Sequence, residues 1–266
     1  MPSPITSHSN PKIKQARALR QRKQRDATGL FLVEGLFHIG EALAAHAKIE
    51  SLFYAPDLVD SDFARQLIDR AVVEGIACYE TTEAILASLA EKENPQGVIA
   101  VVQQHRVKLA DLTPQDFSWG VAIIAPQDPG NVGAILRTID AVGASGLILL
   151  DSGVDPYHPT AVRASLGSIF WYPIVLTSFE EWSRWAQQQG YHIYGTSAKG
   201  SVDYKAVEVY EQPLIMLLGS EREGLSREQA AVCDQLVRLP MRGHVSSLNL
   251  AVAAGVVLYA VVERLK

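Results

Sequence analysis

Apolar positions fall into two kinds of run along the chain. In the first hundred residues, short apolar stretches at Leu30–Val33, Ile49–Tyr54, Ala77–Glu80 and Gly97–Val102 alternate with segments at Glu34–Ala45, Asp62–Val73 and Thr82–Ala90, where apolar residues recur at helical spacing. The short runs read as strands and the periodic segments as amphipathic helices, so their alternation predicts an α/β layer. Gln103–Ser118 loses that periodicity and carries Pro114 in a polar run, which predicts a linker over 104–118. From Trp119 onward, Val121–Ala125 and Gly146–Leu150 are continuous apolar runs, as expected of parallel strands covered on both faces. Further strands are predicted at Pro173–Leu176, His192–Thr196, Pro213–Leu218 and Gln235–Leu239, with helices at Val132–Val142, Phe179–Gln189, Arg227–Val232 and Ser247–Arg264. The chain therefore divides into two α/β domains, 1–103 and 119–266.

Composition narrows the class. The 266 residues are 48% hydrophobic and 20% charged, an ordinary globular balance that excludes a disordered or fibrous chain. Cys78 and Cys233 are the only cysteines and form no CxxC, which argues against a disulfide scaffold or a cysteine metal site and suits a reducing cytoplasm. Leu250–Val262 is the longest apolar run, short of the ~20 residues a spanning helix needs. The opening MPSPITSHSNPKIK has no apolar core behind it, so a cytoplasmic protein with no membrane partner and no metal is expected.

Charge is distributed unevenly. The chain has net charge −5, yet residues 11–26 hold Lys12, Lys14, Arg17, Arg20, Arg22, Lys23 and Arg25 against one acid, Asp26. Ser9 or Asn10 can cap a helix there and Pro11 fits its first turn, while Ile13, Ala16 and Leu19 supply a thin buried edge. One helix with a basic outer face follows. Such a face is either simply solvated or follows phosphates, since clustered cations gain affinity by releasing counterions.

Three loops carry the chemistry. After the strand ending at Ala125, PQDPGNVG makes a turn at Asp128-Pro129-Gly130, and Asn131 can cap the next helix. Arg137 lies six residues further on, so the two face one site only if that helix tilts. The loop lacks G-x-G-x-x-G spacing, which disfavours a dinucleotide fold. After Leu218 comes GSEREGL, where glycines at a strand's carboxyl end let a ligand approach the backbone. No G-x-S-x-G elbow is present. After Leu239 comes PMRGHVSSLN, in which Ser246 or Ser247 can cap the most apolar helix of the chain. Asn249, polar at the head of that helix, must be hydrogen-bonded to something.

NVGAILRTIDAVGASGLIL, LIMLLGSEREGLS and LPMRGHVSSLNLAVAAGVVLY together resemble the signature motifs of the SpoU (TrmH-like) RNA ribose 2′-O-methyltransferases of the SPOUT superfamily. The likeness covers nearly all of 119–266. ITSHSNPKIKQARAL through FLVEGLFHIGEAL is similar to the ribosomal-protein-like substrate-binding domain that precedes it in many members. The resemblance implies an α/β fold with a trefoil-knotted parallel sheet, a homodimer with its site at the subunit interface, and S-adenosylmethionine as cofactor. It implies cofactor contacts at Leu218, Gly219, Gly224, Leu239, Met241, Ser247 and Leu248. Asn131, Arg137, Glu221, Ser247 and Asn249 match the family's active-site positions. RNA contacts are expected at Lys12, Lys14, Arg20, Arg22, Lys23 and Arg163.

The implied reaction moves the sulfonium methyl to a ribose 2′-OH of RNA, with large-subunit ribosomal RNA favoured over tRNA. Arg137 is either a base activated by phosphate contact or a cation that positions RNA and stabilises alkoxide charge, since a guanidinium resists deprotonation. Glu221 is expected to hold Arg137 or the loop backbone. The alternative reading is a non-catalytic RNA-binding or ribosome-assembly factor.

Overall fold

The computed structural model describes residues 4–91, 97–151 and 153–266. Its elements run α1 (Pro11–Ala18), α2 (Arg22–Thr28), β1 (Leu30–Glu34), α3 (Leu36–Ala44), β2 (Ile49–Tyr54), α4 (Asp62–Val73), β3 (Ala77–Glu80), α5 (Glu83–Leu89) and β4 (Val98–Gln103). Then follow β5 (Trp119–Ile124), α6 (Pro129–Val142), β6 (Gly146–Leu150), α7 (Pro159–Ala164), β7 (Ile174–Thr177), α8 (Phe179–Gln188), β8 (His192–Thr196), β9 (Val202–Asp203), β10 (Leu214–Leu218), α9 (Arg227–Ala231), β11 (Gln235–Arg238) and α10 (Leu250–Val262). They form two compact units, Met1–His105 with Tyr157–Trp171, and Arg106–Pro156 with Tyr172–Lys266. Residues 157–171, inside the 119–266 stretch by sequence, thus cluster with the first unit. Among the described residues no helix is long and apolar enough to cross a membrane.

The first unit has a four-stranded sheet in the order β1-β4-β2-β3, antiparallel except for the β2–β3 pair. One core gathers Ile13, Ala16 and Leu19 from the basic segment with Phe53, Ile99 and Val101 from the sheet and Ile85, Leu86 and Leu89 from α5. The single basic helix expected over 11–26 is two helices, broken after Ala18. Arg25 explains the break. Its side chain is 2% exposed, and Nη1 donates to the carbonyls of Leu19 (2.7 Å) and Arg20 (2.9 Å), satisfying acceptors that a helix end leaves orphaned. Arg17 also turns inward, to Ser88 Oγ (2.8 Å) and His8 (3.1 Å). Lys12, Lys14, Arg20, Arg22 and Lys23 remain exposed, with Arg22 paired to Asp26 at 3.6 Å. Asn10 caps α1 by accepting from Lys12 N.

The second unit has seven parallel strands in the order β7-β6-β5-β10-β8-β11-β9. β5, β6 and β10 are buried at every position, as continuous apolar runs on a doubly covered sheet require. Gly120 and Gly146 pair in register, and a Cβ on either would strike the Phe117 ring, at 2.0 Å and 2.8 Å. Two glycines thus make the slot that seats Phe117. Leu109, Leu112 and Phe117 join this core, so the stretch read as a linker packs into the second unit. α6 buries Val132, Ile135, Leu136, Ile139 and Val142 on one face, and α10 packs against it.

Candidate active site

The chain runs from β5 outward through β6 to β7, whereas β10 lies on the opposite edge of β5. Loops leaving the carboxyl ends of β5 and β10 therefore part in opposite directions and leave a crevice, the usual ligand position of an open parallel sheet. A cavity of about 1210 Å³ opens there, walled by the loops after β5, β8, β10 and β11 and by the head of α10. Ala125, at the exit of β5, takes a left-handed backbone (φ 39°), a strained conformation for a residue with a Cβ that aims the next loop across the sheet end.

Three side chains link the loops. Glu221 Oε1 accepts from Asn131 Nδ2 (3.0 Å) and Glu221 Oε2 from the Gln127 N–H (2.9 Å). Asn131 Oδ1 accepts from Asn249 Nδ2 (2.9 Å), and Asn249 Oδ1 accepts from the N–H groups of Ala251 (2.9 Å) and Val252 (3.3 Å). A carboxylate only accepts and a helix head only donates, so both amide orientations are dictated from the two ends of the chain of bonds. Glu221 thus holds Asn131 and the loop backbone rather than Arg137. Two expected caps are also corrected. Asp128, not Asn131, caps α6, because its carboxylate accepts from Gly130 N (2.6 Å) and Pro129 fits the first turn. Asn249, not Ser246 or Ser247, caps α10, because its bond to Asn131 fixes it at the helix head.

This directionality has a measurable consequence. Asn249→Ser keeps a capping oxygen and loses only the link to Asn131, so it is expected to cost about 1 kcal/mol. Asn249→Asp keeps an equally good cap but sets a carboxylate against Asn131 Oδ1, and flipping Asn131 moves the clash to Glu221. It is therefore expected to cost more than the serine variant in urea unfolding at neutral pH. Wild-type stability of Asn249→Asp would show the orientations to be reversed.

Gly219 and Gly224 shape the loop after β10. Ser220 and Gly224 exchange two backbone hydrogen bonds, Ser220 N to Gly224 O (3.1 Å) and Gly224 N to Ser220 O (3.0 Å). This folds the loop back over Gly219, whose missing side chain leaves the room for it. On the facing wall, residues 239–248 make no hydrogen bond, main-chain or side-chain, to any described residue. Of these, Leu239, Met241, Ser246, Ser247 and Leu248 line the cavity, so their peptide donors and acceptors are open to a bound ligand.

Of the expected cofactor residues, Gly219, Gly224, Leu239, Met241, Ser247 and Leu248 line the cavity, whereas Leu218 is buried at the end of β10 and does not. Glu221, Asn131 and Asn249 line it as well, but Arg137 does not. Six residues on a helix amount to a rotation of about 120° away from Asn131, and Arg137 is exposed with no hydrogen bond or ion pair to any described residue. Arg163, in the first unit, pairs with Glu91 at 3.3 Å. Sequence reasoning missed Ser197, Ala198 and Lys199, which line the cavity from the loop after β8. Their signal was present as a polar, glycine-containing stretch (SAKGS) following an apolar strand. Burial raises both thiols, Cys233 to about 12, so neither is a thiolate nucleophile at neutral pH. Among the described residues no group of three or more His, Cys, Asp or Glu is placed to hold a metal.

Residues 119–259 match the model of the SpoU rRNA Methylase family, and residues 10–100 match that of the MRM3-like substrate binding domain. The chain is 35% identical over 268 residues to a 23S rRNA (uridine(2479)-2′-O)-methyltransferase of Streptomyces viridochromogenes, covering 98% of this chain and 92% of that protein. It is 29% identical to the 23S rRNA (guanosine(2553)-2′-O)-methyltransferase RlmP of Bacillus subtilis (strain 168), over 96% of this chain and 97% of that one. The crystal structure of an AdoMet-bound rRNA methyltransferase from Sinorhizobium meliloti superposes with a TM-score of 0.88 at 37% identity, over 97% of each chain. The parallel-sheet crevice, its three motif loops and the match across 119–259 place this chain in the SpoU rRNA Methylase family.

Proposed function

We propose that the protein transfers a methyl group from S-adenosylmethionine to a ribose 2′-OH of 23S ribosomal RNA in the cytoplasm. The observation that carries this reading is the cavity at the β5/β10 seam, where a glycine-shaped loop, a row of free peptide groups and the Glu221–Asn131–Asn249 chain converge. Two relatives named for different 23S nucleotides support the RNA class.

The cavity residues fit the cofactor. Gly219, Gly224, Leu239, Met241, Ser247 and Leu248, which line the cavity, would hold it largely through backbone groups. Bound S-adenosylmethionine supplies an activated methyl, so the remaining work is orientation and removal of the hydroxyl proton. Asn131 and Ser247 orient the ribose, while Glu221 and Asn249 keep Asn131 in one rotamer. Arg137 brings a fixed positive charge to the oxygen as its proton passes to solvent water, which lowers the barrier electrostatically without requiring a deprotonated guanidinium.

The active form is a homodimer. Val252, Val256 and Tyr259 are 53%, 37% and 54% exposed and recur at i, i+4 and i+7 on α10, an apolar stripe that a second copy would cover. A carboxyl-terminal trefoil knot is part of the same reading, supported by β10 and β11 inserting between earlier strands.

The direct test is transfer of labelled methyl from S-adenosylmethionine to 23S rRNA lacking its 2′-O-methyl groups, with label located in nuclease-resistant dinucleotides. No label together with no cofactor binding would favour an RNA-binding factor instead. In the first unit, Lys14, Arg20 and Lys23 are exposed and carry the phosphate contacts. Changing all three to Ala is expected to lower the slope of log K against log salt by roughly 0.7–0.9 per cation lost. An unchanged slope would remove the basic arm from the interface.

A further inference from the structure

The first unit contains a second cavity, about 370 Å³, that the methyl-transfer reaction does not use. One wall is the Lys12–Gln15–Leu19 ridge of α1, and the other is the sheet face carrying Ser51, Phe53 and Tyr79. Two features set it apart from a packing defect. The Lys12 ammonium lies 4.6 Å from the centre of the half-buried Tyr79 ring, so a cation and an aromatic ring stand together in the lining. The β2–β4 ladder slips between Ile49 and Ser51, which makes Glu50 the extra residue of a β-bulge. Bulges re-aim side chains, and here Glu50 and Ser51 both line the cavity although adjacent strand residues normally point to opposite faces.

We propose that this cavity receives one unstacked guanine base of the RNA substrate, an inference that rests on the RNA reading above. The lining argues for a base and against a phosphate: it combines one carboxylate with one ammonium, whereas the exposed cations Lys14, Arg20 and Lys23 lie outside it. With Lys12 swung from the Tyr79 ring onto the incoming base, that ring and an apolar floor of Phe53, Leu30 and Val101 offer the stacking surface on which single-stranded bases are recognised. The polar lining selects among bases. Glu50 only accepts and Lys12 only donates, and guanine alone presents two adjacent N–H donors beside a carbonyl acceptor on its Watson–Crick edge. The amino-terminal unit thus reads a nucleotide as well as following the backbone.

The test uses the full chain and fluorescently labelled RNA hexamers, oligo(U) and oligo(U) with one central G, A or C, measured by anisotropy across a salt series. The G-containing hexamer is expected to bind about tenfold or more tightly than oligo(U). Glu50→Gln, an exposed and isosteric change, is expected to erase that preference while leaving the salt slope intact. Tyr79→Leu keeps apolar bulk and is expected to weaken every hexamer containing a purine, with thermal unfolding as the check on folding. The Lys14, Arg20 and Lys23 triple variant is expected to weaken all hexamers alike and keep the preference for G. Equal binding of all hexamers by the wild type, or a preference that survives Glu50→Gln, would overturn the assignment. Methylation of 23S rRNA by the same preparation keeps the two readings separable, because a protein that methylates rRNA without base preference in the hexamers loses only this site.

Discussion

Gly219→Ala is expected to abolish cofactor binding, with S-adenosylmethionine affinity falling by about a hundredfold or more. A Cβ on Gly219 would lie 2.3 Å from the Gly224 carbonyl carbon, 2.6 Å from Leu225 N and 2.7 Å from Gly224 Cα. All three are backbone atoms, so no rotamer change relieves the contact. The loop must lift, which breaks the Ser220–Gly224 pairing and moves the segment that also carries Glu221. Gly224→Ala is the matched control. A Cβ there meets nothing within 4 Å, and its cost is the left-handed backbone (φ 69°), about 1–2 kcal/mol of stability. Its affinity should stay within about tenfold of wild type. Calorimetry with S-adenosylmethionine, alongside thermal unfolding of each variant, ranks the two. Equal affinities for Gly219→Ala and wild type would place the cofactor elsewhere.

The contrast between these glycines also marks where sequence reading stops. GSEREGL announced a loop that admits a ligand, but which glycine is sterically required depends on the chain folding back over position 219. That is a contact between backbone atoms, which leaves no trace in residue pattern. The strands were legible because a parallel sheet buried on both faces demands continuous apolar runs, and β5, β6 and β10 supply them. α7 and β9 were not, since six and two residues are too short to display a period. The break between α1 and α2 escaped for a different reason: Arg25 looks like one more cation on a basic face until its guanidinium is seen capping the end of α1. At the site, the position of Asn249 in an apolar helix required a partner, and Asn131 is that partner. Nothing local could identify it, because 118 positions separate the two.

Arg137→Ala is expected to reduce methylation by about a thousandfold while leaving cofactor affinity within a few-fold, since a charge acting only on the reacting oxygen adds nothing to ground-state binding of the cofactor. Its placement extends the prediction. Arg137 is exposed, makes no hydrogen bond or ion pair to any described residue, and lies about 120° around α6 from Asn131. A homodimer resolves this if each Arg137 serves the cavity of the other copy. Mixed dimers then distinguish the arrangements. Arg137→Ala and Gly219→Ala are each inactive alone, one lacking the charge and the other the cofactor. If Arg137 acts across the interface, a mixed dimer has one complete site: the pocket of the Arg137→Ala chain with the arginine of the Gly219→Ala chain. Random reassociation makes half of all dimers mixed, so activity should return to about a quarter of wild type. If Arg137 acts within its own chain, every site in every dimer lacks something, and the mixture stays as inactive as its components.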